Sequence, residues 1–343
     1  MTIKSPLTRA REINGGTASL SLARTRAQFW VEVALSVVIV SLPGLLQSAY
    51  YIRILEDIAV FGLLAMGLNL VFGYTGQISL GQAAFYALGS YGSVILETQL
   101  GVPVYLAWPL AIAFCMAVAW IISFPVLRLK GHYLALATLA FGLIVETLIG
   151  QGGTLTGGHD GLIVPVQSVL GEFLTSRFPY IVVGVAVLAY WLLRNLTNYS
   201  VGRALRSLRD DPDAAAALGV PVSRYRTASF VLAAGLSAIA GIFYAHVAQV
   251  VTPEVFSFDT SIQILLMVII GGMGHRLGGV IGAVVVLLLP EFLYGLNTAK
   301  SLVFAIIVLI VLLFMPQGIA GLPRQISSWW RRTRRPVAKE PQA

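Results

Sequence analysis

Two glycine-rich segments carry uncharged polar groups of the kind that can hydrogen-bond a small solute. The first, GYTGQISLGQAAF at residues 73–85, places hydroxyl and amide side chains between glycines that permit tight backbone turns. The second is GGMGHRLGG at residues 271–279. Interrupted helices in transporters present free backbone groups to substrate or let helices move, although both segments also fit ordinary turns. The predicted translocation path combines polar residues of the first segment with the leading glycines of the second: Thr75, Gln77, Ser79, Gln82, Gly271 and Gly272.

Ionisable residues are rare within the apolar runs, and only Glu146 and His246 are expected to lie deep in one. A secondary carrier or channel that acts alone is an alternative function, and it would need an ion-coupling acid such as Glu146. None of the four lysines follows the Gly-Lys-Ser/Thr pattern of a phosphate-binding loop, so any ATP hydrolysis must belong to another chain. The single cysteine, Cys115, excludes a disulfide or thiolate metal site within one chain. We therefore expect no catalytic residue and no metal site.

A third segment, GRALRSLRDDPDAAAALGVPVSRYR at residues 202–226, contains residues that typically start and end a helix, which indicates a structured loop. Asp211 can cap a helix, Pro212 suits its first position, and Gly219 ends it. These residues predict a short alanine-rich helix after a basic turn, with three arginines on one face. Such a helix can hold lipid headgroups, or it can dock in a groove of a partner protein.

The composition determines which elements must position these segments. The 343 residues are 57% hydrophobic and 11% charged, with a mean hydropathy of +0.83. A bilayer requires backbone groups to be bonded within their own segment, so the prediction is an all-α, polytopic membrane bundle of about ten helices. The expected spans are residues 29–46, 52–72, 80–96, 104–127, 133–149, 179–193, 227–247, 261–272, 279–294 and 301–315.

The basic residues predict the orientation of the chain. The net charge is +8, and the arginines and lysines flank the apolar runs, which argues against nucleic-acid binding and favours a cytoplasmic position for both termini. The expected organisation is a basic cytoplasmic tail at 1–28, a transmembrane domain at 29–320 containing a long cytoplasmic loop at about 195–226, and a second cytoplasmic tail at 321–343. The segment 261–272 is short for a full crossing.

Several ordered blocks of the chain resemble the LivM-type permease subunits of branched-chain amino acid ABC importers. They are GLNLVFGYTGQISLGQAAFYALGSY (67–91), LKGHYLALATLAFG (129–142), TGGHDGL (156–162), GRALRSLRDDPDAAAALGV (202–220), VTPEVFSF (251–258), GGMGHRLGGVIGA (271–283) and MPQGIAGL (315–322). Many relatives carry His at the position of Gln82. They also carry Glu directly after the Phe-Gly pair, at the position where this chain has Leu143 after Phe141 and Gly142. Urea, short amides and other small solutes therefore stay open beside leucine, isoleucine and valine.

The resemblance implies a multi-pass subunit of the bacterial plasma (inner) membrane that works by alternating access and is not itself an enzyme. The implied partners are two cytoplasmic ABC ATPase subunits that use ATP and Mg, a sister LivH-type permease, an extracytoplasmic solute-binding protein and membrane lipid. No cofactor is expected on this chain. The resemblance also favours ATPase docking for the 202–219 segment, with these coupling residues: Gly202, Arg203, Arg206, Asp210, Asp211, Ala215, Leu218 and Gly219.

Overall fold

The structure, a computed structural model, describes residues 30–46, 48–129, 131–293, 300–315 and 318–321, and this part is predominantly helical. The predicted all-α class is confirmed. The helices are α1 Trp30–Leu45, α2 Ala49–Leu68, α3 Gln82–Thr98, α4 Val104–Val126, α5 His132–Gly150, α6 Val166–Asn198, α7 Ser200–Asp210, α8 Pro212–Ala217, α9 Val222–Ala248, α10 Phe258–Gly271, α11 Gly278–Phe292 and α12 Lys300–Phe314. The predicted tail at 1–28, and all but the first residue of the tail at 321–343, lie outside the described residues.

Five helical segments are long and apolar enough to cross a membrane: Ala49–Tyr74, Val104–Val126, His132–Gly150, Leu174–Asn198 and Val222–Ala248. Shorter apolar helices occupy Trp30–Leu45, Phe258–Gly271, Gly278–Phe292 and Leu302–Val311. Hydropathy underestimates the length of α6, because the predicted span 179–193 stops next to arginines whereas the helix continues to Asn198. The helix is kinked at Gly171 (φ 73°). The short predicted span 261–272 begins earlier than expected, at Phe258, after a 3-10 turn at Pro253–Phe256.

Contacts divide the described chain into a unit up to Ala49, which contains α1, and a unit from Tyr50 onward. Within the second unit, α2, α3 and α9 form the centre. Of the most apolar 18-residue stretch of α9, 72% is buried, against 22% in both α4 and α5. A membrane protein needs no polar outer surface, so the exposed apolar faces of α4 and α5 suit lipid or another membrane chain.

Glycines set the distance between the central helices. A Cβ at Gly89 of α3 would collide with the backbone of Ala238 in α9, and one at Gly241 of α9 would collide with the backbone of Tyr86 in α3. A Cβ at Gly279 of α11 would likewise meet the backbone of Ala65 in α2. Small residues allow membrane helices to approach until their backbones touch, which maximises van der Waals packing where lipid offers no hydrophobic driving force.

The α2 helix does not end in a regular turn. A π-helix, Asn69–Tyr74, follows it directly, and an irregular segment then leads to Gln82, the first residue of α3. A π-helix inserts an extra residue into the hydrogen-bond ladder and is frequent at functional sites. The first glycine-rich segment is therefore a break between two helices, and the second, from Gly272 to Leu277, separates α10 from α11.

Two short strands are the exception to the helical fold in the described part. Leu162–Ile163 (β1) pairs antiparallel with Val250–Val251 (β2), with Leu162 opposite Val251. Gly161, at φ 77°, lies against the carbonyl of Val251, where a side chain would collide. This pair fixes the α5–α6 connection to the end of α9.

Candidate coupling and translocation site

The loop between α6 and α9 is fully structured. Asp211 accepts hydrogen bonds at Oδ1 from the backbone amides of Asp213 (2.9 Å) and Ala214 (3.0 Å), and Pro212 is the first residue of α8. The predicted cap and first position are therefore confirmed. The predicted basic turn is wrong: it is the 11-residue helix α7, because Ser200 to Asp210 contains no helix breaker apart from Gly202. That glycine is required, since a Cβ there would collide with the backbone of Thr197.

The α7 helix is amphipathic and lies against the bundle. Leu205 and Leu208 are buried, and Leu205 packs against Leu70 and Tyr74 at the end of α2. On its other side Arg203, Arg206 and Asp210 are exposed, although the Arg206 guanidinium reaches back to the carbonyl of Thr197 at 3.3 Å. The buried face of this amphipathic helix therefore fixes α7 to the bundle.

The α8 helix presents small and apolar side chains outward. Ala215 is buried against the bundle, whereas Leu218, directly after the helix, has 85% of its surface exposed. Gly219 follows at φ 83°, a conformation that favours glycine, and it ends the helix as predicted. Recognition of a helix in a groove uses apolar side chains of this kind as anchors.

The predicted path residues of the first break are all buried. Thr75 donates to the carbonyl of Val71 (2.6 Å) and accepts from Gln77 Nε2 (2.9 Å), so these two side chains are bonded to each other. Gln82 Oε1 accepts from the hydroxyl of Ser237 on α9 (2.6 Å). Ser79 Oγ is buried without a hydrogen-bond partner in the described part of the chain. The role of these residues in translocation stays a prediction.

The predicted path glycines of the second break lie where backbone segments approach each other closely. A Cβ at Gly271 would meet the carbonyl of Gly278, and Gly282 of α11 lies against the backbone of Met267 on α10. Gly272, at φ 117°, turns the chain out of α10. These glycines hold α10 and α11 as a tight hairpin, and their participation in a path likewise stays a prediction.

The structure brings the two breaks and α7 together at one point. Asn69, in the π-helix, donates from Nδ2 to the carbonyl of His275 (2.8 Å) and accepts at Oδ1 from the amide of Gly274 (2.8 Å). Arg209 of α7 donates from Nη1 to the carbonyl of Gly73 (2.6 Å). The same guanidinium lies so close to Gly274 that a side chain there would collide with it. We call this set, Asn69, Gly73, Arg209, Gly274 and His275, the break junction.

Sequence reasoning did not include Asn69 or Arg209 among the site residues. A lone asparagine within an apolar run (LNLVFGY) is the available signal, since an amide in such a run needs a polar partner. Arg209 is recognisable only as one member of the arginine face of residues 203–209. Neither signal identifies a partner more than a hundred residues away in the chain.

A second polar cluster occupies the opposite end of the bundle. Glu97 lies one residue beyond the predicted span 80–96, in the last turn of α3, and its side chain and that of His246 on α9 are almost completely buried. His246 Nε2 is 3.0 Å from Glu97 Oε2, and Trp108 of α4 donates to Oε1 at 2.7 Å. His246 Nδ1, 2.8 Å from the carbonyl of Ile242, must carry a hydrogen, so His246 and Glu97 share one further proton. This cluster joins α3, α4 and α9.

Other ionisable residues in the helices differ from one another in their surroundings. Arg53 of α2 pairs with Asp57 at 3.3 Å and also donates to the carbonyl of Val247. Glu56 of the same helix is buried. Glu146 of α5 is partly buried, on the flank of a helix that is otherwise largely exposed and apolar.

Comparisons with known proteins give a consistent result. The family described as branched-chain amino acid transport system / permease component matches residues 50–314. The high-affinity branched-chain amino acid transport system permease protein LivM of Salmonella typhimurium is 30% identical over 291 residues, covering 77% of this chain and 68% of that protein. The probable LivM permease of Methanocaldococcus jannaschii is 27% identical, covering 76% and 81%. The LivH permease of Escherichia coli is 27% identical, covering 77% and 92%. A family match across all the helices from α2 to α12, in a chain with several membrane-spanning helices, identifies this protein as a multi-pass member of the branched-chain amino acid transport system permease family.

Proposed function

We propose that the chain is the permease subunit of an ATP-driven importer that moves branched-chain amino acids across the inner membrane by alternating access. Its family and the names of its LivM and LivH relatives support this function. The chain makes and breaks no covalent bond and binds no cofactor, whereas ATP and Mg are used by separate ATPase subunits. Substrate passes close to the polar residues of the first break.

The proposal includes ten membrane crossings with both termini in the cytoplasm. The crossings are α1 to α6 and α9 to α12. If successive helices cross in alternate directions, the end of α2, the α10–α11 break and α7 must lie on the same side, and the hydrogen bonds of the break junction join these three segments. The opposite ends of α3 and α9 meet at Glu97 and His246, which agrees with the same alternation. The arginines of α7 favour the cytoplasm for the first side.

The observation that carries the coupling mechanism is the hydrogen bond from Arg209 to the carbonyl of Gly73. Arg209 belongs to α7, next to the outward-facing α8, and Gly73 belongs to the first break. Leu205 of α7 also packs against the end of α2. Force applied to α8 by an ATPase therefore reaches the first break through α7, and the second break through Asn69 and Gly274. A ligand or partner shifts such an equilibrium only if it binds the two states with different affinities, so the ATPase must hold α8 differently with and without ATP.

The remaining partners follow from the family. We propose two cytoplasmic ATPase subunits that receive α8 and the exposed Leu218, and a sister permease of the LivH type. A solute-binding protein delivers substrate at the end that carries Glu97 and β1. The exposed apolar faces of α4 and α5 are available for lipid and for the sister permease.

The decisive experiment isolates the complex through an affinity tag on the full chain, in mild detergent from native membranes. Mass spectrometry should find ATPase subunits and a second permease, and proteoliposomes containing the complex and its binding protein should take up leucine only when ATP is present on the ATPase side. Uptake of urea or a short amide instead of leucine would correct the substrate. Uptake by the chain alone, without ATP, would refute the importer function.

A carrier that acts alone is the second candidate, because the buried His246–Glu97 pair shares a proton. All the hydrogen-bonding atoms of both side chains are occupied within this cluster, which favours a role in joining helices. Glu146 is the other acid that a carrier could use, and its substitution separates the two functions.

A further inference from the structure

A cavity lies between α8 and the membrane helices, on the side of α8 that faces the bundle. Its volume is about 360 Å³, and its walls come from the first break, the α4–α5 turn, α8 and the start of α9. Sites for small organic ligands typically measure roughly 300–1,000 Å³. Gln77, a residue of the predicted path, lines it, so the cavity lies where that path would meet the coupling segment.

Two opposite charges line this cavity without neutralising each other. Arg226 lines it from α9, and Asp213 lines it from α8. In the part of the chain that the structure describes, neither forms a salt bridge, and Arg226 Nε is buried without a hydrogen-bond partner. A guanidinium with free donors is suited to a carboxylate, which it binds with two parallel hydrogen bonds.

The rest of the wall is largely aliphatic. Ile78 of the first break, Leu127 at the end of α4 and Leu134 of α5 line the cavity together. An occupant that satisfies the whole surface therefore carries a carboxylate, a positively charged group and an aliphatic portion. A simple anion would be repelled by Asp213, and a purely apolar molecule would leave Arg226 desolvated without a partner.

We propose that this cavity binds a free aliphatic amino acid from the cytoplasm, with its carboxylate on Arg226, its ammonium group on Asp213 and its side chain against Ile78, Leu127 and Leu134. The inference deepens the proposed function, on which it rests, because the ligand is the transported product. The occupant bridges α8 to α9 and opposes any motion of α8 away from the bundle. Amino acid accumulated in the cytoplasm therefore slows the ATPase cycle.

The test uses the complex isolated through a tag on the full chain, in nanodiscs and without its binding protein. L-Leucine should bind and should inhibit ATP hydrolysis, whereas 4-methylpentanoate, which lacks the amine, and isopentylamine, which lacks the carboxylate, should do so at least about tenfold more weakly. A diazirine analogue of leucine should label peptides containing Ile78 or Leu134.

Matched variants locate the effect. Arg226→Gln and Asp213→Asn should each weaken leucine binding about tenfold or more, and Arg226→Lys should retain part of it because the charge remains. Arg224→Gln is the control, since Arg224 is an exposed arginine two residues away that does not line the cavity. It should bind leucine like the parent. Equal thermal unfolding temperatures would show that the variants are folded, and Arg226→Lys provides the comparison if Arg226→Gln is not.

The outcomes separate this inference from the proposed function. Suppose that proteoliposomes take up leucine but the nanodisc complex does not bind it. This result overturns the inference and leaves the importer function intact, and so does labelling by the diazirine analogue at another site. A phospholipid held at the cavity in native mass spectrometry and not displaced by leucine also overturns it, as does a cross-link showing an ATPase side chain in the cavity. Absence of ATP-dependent uptake of any solute overturns the proposed function itself.

Discussion

Replacing Asn69 with alanine should open the second break without unfolding the bundle. Asn69 is buried in the π-helix at the end of α2, and its amide is the connection from this helix to Gly274 and His275. Alanine removes both hydrogen bonds and keeps the helical backbone. The α10–α11 hairpin retains its own glycine contacts, so the change is confined to residues near 271–279.

The magnitude follows from the two bonds and their exposure. Gly274 and His275 are only partly buried, so water can replace the lost amide, and the net contribution of about 0.5–1.5 kcal/mol per hydrogen bond applies rather than the full penalty of a buried unsatisfied group. The two bonds together then contribute about 1–3 kcal/mol. At about 1.4 kcal/mol per factor of ten, the local opening constant should rise roughly 5- to 140-fold.

Hydrogen exchange followed by mass spectrometry on peptides covering residues 271–279 measures this constant. Asn69→Asp replaces the donor to the His275 carbonyl with a second acceptor at a buried position, so repulsion between the two oxygens should make it at least as disruptive as alanine. Ser93→Ala is the control, because the Ser93 hydroxyl bonds only to the carbonyl of Ser90 in its own helix. Unchanged exchange at 271–279 in Asn69→Ala would refute the connection, and a uniform increase along the chain would show global destabilisation instead.

Five further substitutions, and one double variant, test other parts of the structure. Arg209→Gln should leave ATP hydrolysis largely intact but reduce leucine uptake per ATP several-fold, because α7 loses its bond to the first break. Leu218→Asp should abolish recovery of the ATPase subunits with the tagged chain while leaving its thermal stability unchanged, since this side chain is 85% exposed. Glu97→Ala and His246→Ala should each destabilise the chain by about 3–5 kcal/mol, and the double variant by much less than their sum, as thermal unfolding can show. Glu146→Gln should preserve uptake within about twofold if ATP drives transport, whereas a lone carrier would lose coupled uptake.

Local features of this chain could be predicted from the sequence. The cap at Asp211, the first position at Pro212 and the end of α8 before Gly219 depend on residues within eight positions of each other, and all three are confirmed. The all-α class follows from hydropathy, because a bilayer permits few alternatives. The positions of helix ends are predicted less accurately. The predicted span 179–193 ends at charged residues, but α6 continues past Arg194, and the Arg194 guanidinium lies over the Trp191 ring, 4.7 Å from its centroid.

The functional connections could not be predicted because their partners are distant in sequence. Glu97 directly follows the predicted span 80–96, and only the fold shows that it is buried against His246, 149 residues later. Asn69 and Gly274 are 205 residues apart. A sequence pattern indicates that a polar group in an apolar run needs a partner, whereas the identity of that partner depends on helix packing.

The glycine seam between α3 and α9 has a consequence for inherited variation. Every single-nucleotide missense change in a glycine codon introduces a residue with a Cβ, and at Gly89 or Gly241 that atom would collide with the backbone of the facing helix. Backbone, unlike the end of a flexible side chain, cannot move aside without displacing the whole helix. In a saturation-mutagenesis screen under selection for uptake, these two codons should tolerate only synonymous changes, whereas Gly184 of α6, whose Cβ would meet open space, should accept alanine.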